Sequence, residues 1–323
     1  MKRVVPLLML ALLAGCGEKE DVLEPSGSKQ LTLMLDYFPN ADHAGIYAAQ
    51  AGGHFEQAGL DVEIRQPADP AAPIKQVAAG RVDLAVSYEP ELLRARDEGV
   101  SVVSVGALVQ KPLTSIISLP EAKIREPADL KGKTVGVDAP GTSPYFGLAY
   151  MLKKNGLSIK DVTVATMSPQ AAAQAFVAGQ NDAAMTYEPY LSSVRDKPDS
   201  GKIIATTLDY PMVMDTFGCT PKFIKENPKA VKAMVDSYFE ALEMIKKEPA
   251  KSYEIMGADV KQSGEQFAKS AAYLRWQDKA ANQQFFNGPI QAFSKESADL
   301  LLEVGIIKSI PDVNSLVDTQ FIK

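Results

Sequence analysis

The chain has 323 residues, with 34 basic and 40 acidic side chains and a net charge of −6. Because no basic stripe accompanies this acidic balance, a nucleic-acid partner is not expected. Two histidines, His43 and His54, and two cysteines, Cys16 and Cys219, leave few routes to a zinc site or a histidine-based triad. The short motifs of common hydrolases, metalloproteases and phosphate-binding loops are also missing. We therefore predict no catalytic residues, no metal and no cofactor.

The beginning of the chain has the pattern of a secretory signal. Residues 2–3 are positively charged, and residues 4–13 form an apolar run that is too short for a permanent membrane anchor. The run ends in Leu-Ala-Gly-Cys16, which resembles the bacterial lipobox, whose cysteine becomes the lipidated first residue of the mature chain. An ordinary cleaved signal with a chance cysteine is the alternative. We predict a lipoprotein signal over residues 1–16 and a polar tether over residues 17–29.

The remaining chain reads as strands and helices that alternate twice. The first half predicts, in chain order, a strand at 31–36, a helix at 44–58, a strand at 61–64, a helix at 73–79 and a strand at 83–87. The second half predicts a strand at 133–138, a helix at 145–155, a strand at 161–164, a helix at 169–178 and a strand at 182–186. The order β-α-β-α-β therefore occurs twice, which predicts an α/β protein with two parallel sheets.

Three further β-rich runs, at 100–118, 203–207 and 213–218, are the natural places for strands that cross between two lobes as hinges. The chain after residue 221 is mostly helical, with one apolar face over 227–247. We place lobe 1 at 30–115 plus 215–323, and lobe 2 at 116–214. With Cys16 lipidated, no disulfide is possible, and Cys219 is expected to be a buried small hydrophobe.

A direct repeat supports the two halves. Residues 80–92 and 179–191 share a glycine, an aspartate, an alanine, a hydroxyl residue, Tyr-Glu-Pro and a leucine at an offset of 99. Ligands of open parallel sheets bind beyond the carboxyl ends of the strands, where both Tyr-Glu pairs lie. If the lobes face each other, Tyr88-Glu89 and Tyr187-Glu188 converge on one cleft. The alternatives are that each glutamate stabilises the helix N-terminus that follows it, and that each tyrosine is a core aromatic with a wet hydroxyl.

Two turns add candidate ligand-binding residues. The turn between the first strand and the first helix supplies carboxylate, aromatic, amide and imidazole groups, namely Asp36, Tyr37, Phe38, Asn40 and His43. Tyr37 or Phe38 can stack on a flat ligand, whereas Asn40 can equally serve as a helix cap. In the second half, Gly141 and Thr142 open a helix whose N–H groups and hydroxyls suit an oxygen or an anion. A simple helix cap before Pro144 is the alternative there.

The run Leu-Asp-Tyr-Phe-Pro-Asn over residues 35–40, with His43 and Gly-Ile-Tyr-Ala-Ala over 45–49, looks like the opening motif of substrate-binding proteins for thiamine pyrimidine precursors. Residues 53–62 and 79–89 continue this resemblance, which covers roughly residues 31–223. It implies the two-lobed periplasmic binding protein fold of type II, in which two βαβαβ lobes are joined by hinge strands and close on a ligand. It also implies a monomer at the periplasm or outer cell surface that delivers its ligand to an ABC permease and ATPase complex. The lipobox-like signal adds the expectation of a lipid anchor at the membrane.

Members of the same superfamily bind sulfonates, taurine, nitrate or riboflavin, and one branch comprises fungal-type pyrimidine synthases. The cysteine-rich motif of those enzymes has no counterpart here. A sulfonate or nitrate beside Glu89 and Glu188 would be costly without cations, and no Arg or Lys lies in the strand-end motifs. An aminopyrimidine can pair with a carboxylate and stack on an aromatic ring. We therefore expect a thiamine pyrimidine precursor such as formylaminopyrimidine, with riboflavin as the nearest rival and a sensor or chaperone-like lipoprotein as a further class.

Overall fold

The computed structural model describes residues 21, 23, 28–37, 39–69, 72–110, 115–118, 123–188, 190–191, 201–210, 214–272 and 274–323. The predicted signal peptide, Cys16, most of the tether and Phe38 lie outside the described residues. Within the part of the chain that is described, helices are all too short or too polar to cross a bilayer.

Eleven strands of the described chain form two sheets. They are β1 (Lys29–Met34), β2 (Leu60–Arg65), β3 (Leu84–Tyr88), β4 (Val103–Gln110), β5 (Ser115–Ser118), β6 (Thr134–Val137), β7 (Thr163–Thr166), β8 (Ala183–Thr186), β9 (Lys202–Thr206), β10 (Met214–Cys219) and β11 (Arg275–Trp276). The first sheet has the order β11-β4-β10-β3-β1-β2, and the second has the order β7-β6-β8-β5-β9.

The described chain also contains twelve α-helices. They are α1 (Ala44–Ala51), α2 (His54–Gln57), α3 (Pro73–Ala78), α4 (Glu89–Asp97), α5 (Ser143–Lys154), α6 (Pro169–Val177), α7 (Pro221–Glu226), α8 (Pro228–Lys247), α9 (Pro249–Asp259), α10 (Gly264–Ala271), α11 (Lys279–Phe286) and α12 (Pro289–Glu303).

The two sheets repeat one topology. In the first, β1 pairs in parallel with β2 and β3, and β10 inserts antiparallel between β3 and β4. In the second, β6 pairs in parallel with β7 and β8, and β5 inserts antiparallel between β8 and β9. The chain therefore crosses between the sheets after β4 and again after β9, which confirms the two βαβαβ units and the hinge strands predicted from the sequence. The exact residue boundaries of the two lobes stay a prediction.

Two sequence expectations concern local structure. The single helix predicted over 44–58 is wrong, because Gly53 adopts a left-handed backbone with φ of 71° and separates α1 from α2. Cys219 is fully buried in β10, as expected for a small hydrophobe. Burial also raises the pKa of its thiol, which keeps it protonated and unreactive.

The long helix α8 is the main support of the first lobe. Its buried face contains Val231, Met234, Val235, Tyr238 and Leu242 at helical spacing. The hydroxyl of Tyr238 donates to the carbonyl of Leu108 in β4, which ties this helix to the sheet. The first sheet is thereby packed against a helix of 20 residues.

The helix α12 contacts both lobes. It packs on α4 of the first lobe and also contacts α5 of the second. Lys153 and Lys154 of α5 form ion pairs with Glu303 and Glu296 of α12. The side chains of Phe146, Ala149 and Leu301 share one apolar cluster at this junction.

Candidate functional site

A cavity of about 310 Å³ lies between the carboxyl ends of the parallel strands of the two lobes. This volume lies at the small end of the range for ligand pockets. The first lobe contributes Asp36, Tyr37, Asn40, Asp69, Tyr88, Glu91 and Arg94 to its wall, and the second contributes Asp138, Ala139, Pro140, Gly141, Thr142, Ser143, Pro144, Pro169 and Tyr187.

The turn after β1 builds one side of the cavity. The side chain of Asn40 caps the short helical turn 41–43 by accepting from the N–H of Asp42 at 2.8 Å, and it also lines the cavity. Asp36 lines the cavity as well, and its Oδ1 lies 2.6 Å from Nε2 of His43. His43 is completely buried and lies behind Asp36 rather than in the wall. Asn40 therefore caps the helical turn and also forms part of the cavity wall.

Direct hydrogen bonds join the two lobes at Gly141. The hydroxyl of Tyr88 donates to the Gly141 carbonyl at 2.5 Å, and Nη1 of Arg94 donates to the same oxygen at 3.2 Å. Burial raises the pKa of Tyr88, so its hydroxyl stays protonated and remains a donor. Gly141 has φ of 91°, a conformation that favours glycine. The structure is therefore that of the lobes in contact.

Glu91 and Arg94 are two cavity residues that the sequence reasoning missed. Glu91 is 4% exposed, and its Oε1 lies 3.4 Å from Nη2 of Arg94. Burial raises the pKa of Glu91 to about 8, Arg94 and Lys75 oppose this rise, and Asp36 adds to it. Glu91 and Arg94 lie three residues apart on one face of α4, and Tyr88, at the end of β3, precedes Glu91 by the same interval. This three-residue spacing was the available sequence clue.

Glu89 does not take the position predicted for it. Its carboxylate is buried within the first lobe, beside the hydroxyls of Ser294 and Ser297 of α12, and does not line the cavity. Burial raises its pKa to about 7, and the two hydroxyls oppose the rise without reaching good hydrogen-bond geometry. The reason is that successive residues at a strand end and a helix start point in different directions, so Tyr88 and Glu89 cannot both face the cleft.

The second copy of the repeat behaves similarly. Tyr187 lines the cavity, whereas Glu188 is partly buried and is not part of the wall. The expectation that the two glutamates meet at the ligand is therefore not met in this conformation. The strand-end motifs themselves contain no Arg or Lys, as stated above, but a cation does reach the cavity, because Arg94 lines it from one turn into α4.

An aromatic corner spans the lobes. The rings of Tyr37 and Tyr187 meet edge to face, with centroids 5.9 Å apart and an interplanar angle of 85°. Tyr190 also packs against Tyr187, with ring centroids 5.7 Å apart. Burial, reinforced by the neighbouring Tyr37, raises the pKa of Tyr187, so this hydroxyl is also neutral. The corner gives a flat ligand a ring surface beside neutral hydroxyl groups.

The turn after β6 forms the opposite wall. Thr142 lines the cavity, but its hydroxyl donates to the Ala139 carbonyl at 2.8 Å and so stabilises the turn rather than capping α5. The hydroxyl of Ser143 is buried without a hydrogen-bond partner in the described chain, and it lines the cavity. Burial raises the pKa of Asp138, which the N–H of Ala139 opposes by donating to its Oδ1 at 2.7 Å. Ser143 belongs to the same turn whose hydroxyls the sequence analysis considered, although only Gly141 and Thr142 were named there as candidates.

The cavity wall is acidic overall. Four carboxyl groups, those of Asp36, Asp69, Glu91 and Asp138, face one guanidinium, that of Arg94. Among the described residues, no cluster of His, Cys, Asp and Glu is arranged to hold a metal ion. Such a wall favours a ligand that is neutral or weakly basic and carries N–H donors.

Sequence comparisons find relatives named for thiamine pyrimidine chemistry. The family model described as NMT1/THI5 like matches residues 40–252. A protein named for thiamine biosynthesis in Haemophilus influenzae is 46% identical over 145 residues, 45% of this chain and 46% of that protein. The formylaminopyrimidine-binding protein of Halalkalibacterium halodurans is 37% identical over 134 residues, 42% of this chain and 41% of that protein. The matched region thus spans less than half the length of these two relatives.

A longer match, at lower sequence identity, is to an enzyme. The 4-amino-5-hydroxymethyl-2-methylpyrimidine phosphate synthase THI13 of Saccharomyces cerevisiae is 25% identical over 240 residues, which cover 69% of each chain. Binding proteins and synthases therefore share sequence features with this chain.

Solved structures confirm the fold. The periplasmic aliphatic sulphonate binding protein SsuA of Escherichia coli superimposes with a TM-score of 0.77 over 90% of this chain and 97% of that chain, at 16% identity. The alkanesulfonate-binding protein SsuA of Xanthomonas axonopodis pv. citri, bound to MOPS, gives a TM-score of 0.71 over 91% of this chain and 99% of that chain, at 20% identity. The two-lobed periplasmic binding protein fold predicted from the sequence is confirmed, and at these identities the likeness concerns the fold alone.

Proposed function

Because this chain belongs to the NMT1/THI5-like family, we propose that it is the solute-binding component of an ABC importer and captures a thiamine pyrimidine precursor such as formylaminopyrimidine between its lobes. The observation that carries this proposal is the interlobe cavity itself, which combines an aromatic corner with an excess of carboxylates. A flat aminopyrimidine fits both features, because its ring packs on tyrosine and its amino group donates to a carboxylate. The relative named as a formylaminopyrimidine-binding protein supports the same ligand.

The hydrogen bonds at Gly141 supply a mechanism for capture. Tyr88 and Arg94 reach across the cleft only when the lobes are in contact, so these bonds favour the closed state. A ligand that contacts both walls also favours that state, and binding shifts the population toward it. The hinge strands β4–β5 and β9–β10 are the connections about which the lobes would move. The closed lobes would then be the form that docks on a permease and ATPase complex, with a monomer as the working unit.

Sulfonates fit this cavity less well. The one guanidinium in the wall, that of Arg94, already pairs with Glu91 and donates to Gly141. A sulfonate would have to displace these contacts and lie among three further carboxyl groups, at a large desolvation cost. Riboflavin, with three fused rings and a sugar alcohol chain, is larger than an aminopyrimidine, and a cavity at the small end of the range for ligand pockets favours the smaller ligand.

A pyrimidine synthase is the second candidate, favoured by the long match to the yeast enzyme. The formylaminopyrimidine-binding protein matches a shorter region, but its sequence identity to this chain is higher, at 37% compared with 25% for the yeast enzyme. The chain also has only two cysteines, one of them buried in β10, which leaves no counterpart to the enzymes' cysteine-rich motif. Export through a lipoprotein signal with lipidated Cys16 is part of the binding-protein proposal.

A ligand panel tests the proposal. The mature protein is heated with formylaminopyrimidine, riboflavin, taurine or nitrate, and the melting temperature is recorded as a function of ligand concentration. A ligand that binds only the folded protein stabilises it by mass action, by about 2.7 kcal/mol at a hundredfold excess over Kd. We expect formylaminopyrimidine to raise the melting temperature and taurine and nitrate to leave it unchanged. Stabilisation by taurine alone would contradict the proposed ligand.

A further inference from the structure

A buried pair of side chains lies directly behind the cavity wall. Nε2 of His43 is 2.6 Å from Oδ1 of Asp36, and the side chain of His43 is 1% exposed while that of Asp36 is 13% exposed. Asp36 lines the cavity and His43 does not. The imidazole therefore contacts the cavity only through the carboxylate in front of it.

The hydrogen bonds around His43 determine where the ring carries its proton. The backbone N–H of Asn40 points at Nδ1 of His43, with an N···N distance of 3.4 Å, so Nδ1 acts as an acceptor. A ring that accepts at Nδ1 carries its proton on Nε2. That proton is donated to Oδ1 of Asp36. The turn 41–43 fixes this arrangement, because Asn40 simultaneously accepts from the N–H of Asp42.

We infer that His43 is a positioning residue that orients Asp36 as a hydrogen-bond acceptor for an N–H donor of the ligand, and this inference rests on the proposed function. With Oδ1 held by His43, rotation of the carboxyl group about its bond to the chain is prevented. A carboxylate held in this way pairs with an amino group, and it disfavours an oxo group at the same place because two acceptors would then face each other. Asp36 and His43 together would thus select amino-substituted over oxo-substituted pyrimidines.

Substitutions of matched shape separate positioning from packing. In His43→Gln, the side-chain amide can place an N–H near the position of Nε2. In His43→Met, a side chain of the same length has no donor. We expect His43→Gln to bind formylaminopyrimidine within about threefold of the wild type and His43→Met to bind about tenfold more weakly, by calorimetry at 25 °C. Equal losses in both variants would overturn the inference.

A double-mutant cycle tests whether His43 acts through Asp36. In an Asp36→Asn background, His43→Met should weaken formylaminopyrimidine binding by less than about twofold, because the carboxylate it orients is gone. The melting temperature without ligand is measured for every variant. A tenfold loss that persists in the Asp36→Asn background would show a purely structural role and contradict the inference.

A measurement without ligand keeps this test separate from the proposed function. Nitrogen-15 NMR of the histidine rings in the unliganded protein should show His43 neutral, with its proton on Nε2, and Asp36→Asn should change its ring shifts more than those of His54. A proton on Nδ1 of His43 would refute the arrangement. If wild-type protein fails to bind formylaminopyrimidine, the proposed ligand is wrong, and the variants are compared with whichever panel compound binds.

Discussion

Replacing Gly141 by alanine perturbs the contact between the lobes at one point. Gly141 has φ of 91°, and a Cβ built there would lie 2.8 Å from Nη1 of Arg94. The backbone conformation costs a residue with a Cβ about 1–2 kcal/mol, whether the lobes are open or closed. The clash with Arg94 is different, because it exists only when the lobes are in contact. The substitution therefore separates a general loss of stability from a specific loss of closure.

The magnitude of the specific effect follows from the bond that is lost. The guanidinium lies at the end of a flexible side chain, so it can move away from the new methyl group, and its bond to the Gly141 carbonyl is then broken. A hydrogen bond from a charged donor contributes about 1.5–3 kcal/mol. We expect formylaminopyrimidine to bind Gly141→Ala about tenfold or more weakly by calorimetry. Small-angle scattering should show less compaction on ligand addition than in the wild type.

Gly156→Ala is the matched control for this experiment. Gly156 lies in the same lobe and has φ of 74°, and a Cβ added there would meet no atom of the described chain within 4 Å. It should lose about 1–2 kcal/mol of unfolding free energy for the same backbone reason and keep wild-type affinity. If Gly141→Ala also keeps wild-type affinity and shows only this stability loss, the contact between Arg94 and Gly141 does not contribute to closure.

Three further changes test other parts of the account. Tyr88→Phe removes the other donor to Gly141 and should weaken ligand binding about fivefold to tenfold in calorimetry, whereas unchanged affinity would remove Tyr88 from the closing mechanism. The unfolding free energy of the wild type should fall as the pH rises from about 5 to about 8, because the Glu89 carboxyl has a pKa near 4.5 in the unfolded chain and about 7 in the folded protein. In Glu89→Gln, urea titrations should show a fall that is smaller by roughly 2–3 kcal/mol. The ligand affinity of this variant should be unchanged. A loss of ligand affinity in Glu89→Gln would indicate that the Glu89 carboxylate faces the cavity after all. Cys16→Ser should abolish labelling by radioactive palmitate in cells, and Cys219→Ala should keep it; labelling that survives in Cys16→Ser would refute the lipid anchor.

The fold was largely predictable because it depends on patterns that the sequence states twice. The repeated strand–helix order defines the two parallel sheets, and the β-rich runs between the halves mark the strands that cross over. The break between α1 and α2 was missed, since an apolar helical period continues across Gly53 although its backbone does not. The spacing of apolar residues does not reveal that a glycine such as Gly53 adopts a left-handed backbone and ends a helix.

The site was predicted less completely, and the repeat itself is the reason. Comparison of the two copies draws attention to Glu89 and Glu188, which are identical, and away from Glu91, whose counterpart is Tyr190. Which side chain faces the cleft depends on where α4 begins, and a shift of two residues moves a side chain to another side of the helix. The repeated tyrosines, Tyr88 and Tyr187, do line the cavity, but Glu91 and Arg94 line it at positions where the halves differ, so comparison of the halves could not find them.

A crystal structure of the mature protein with formylaminopyrimidine is the most direct measurement. The pyrimidine should occupy the cavity between the lobes, against Tyr37 and Tyr187, with its amino group about 3 Å from the Asp36 carboxylate. The Gly141 carbonyl should keep its bonds from the opposite lobe. A ligand bound elsewhere, or a ring whose amino group faces away from every carboxylate in the wall, would contradict the account.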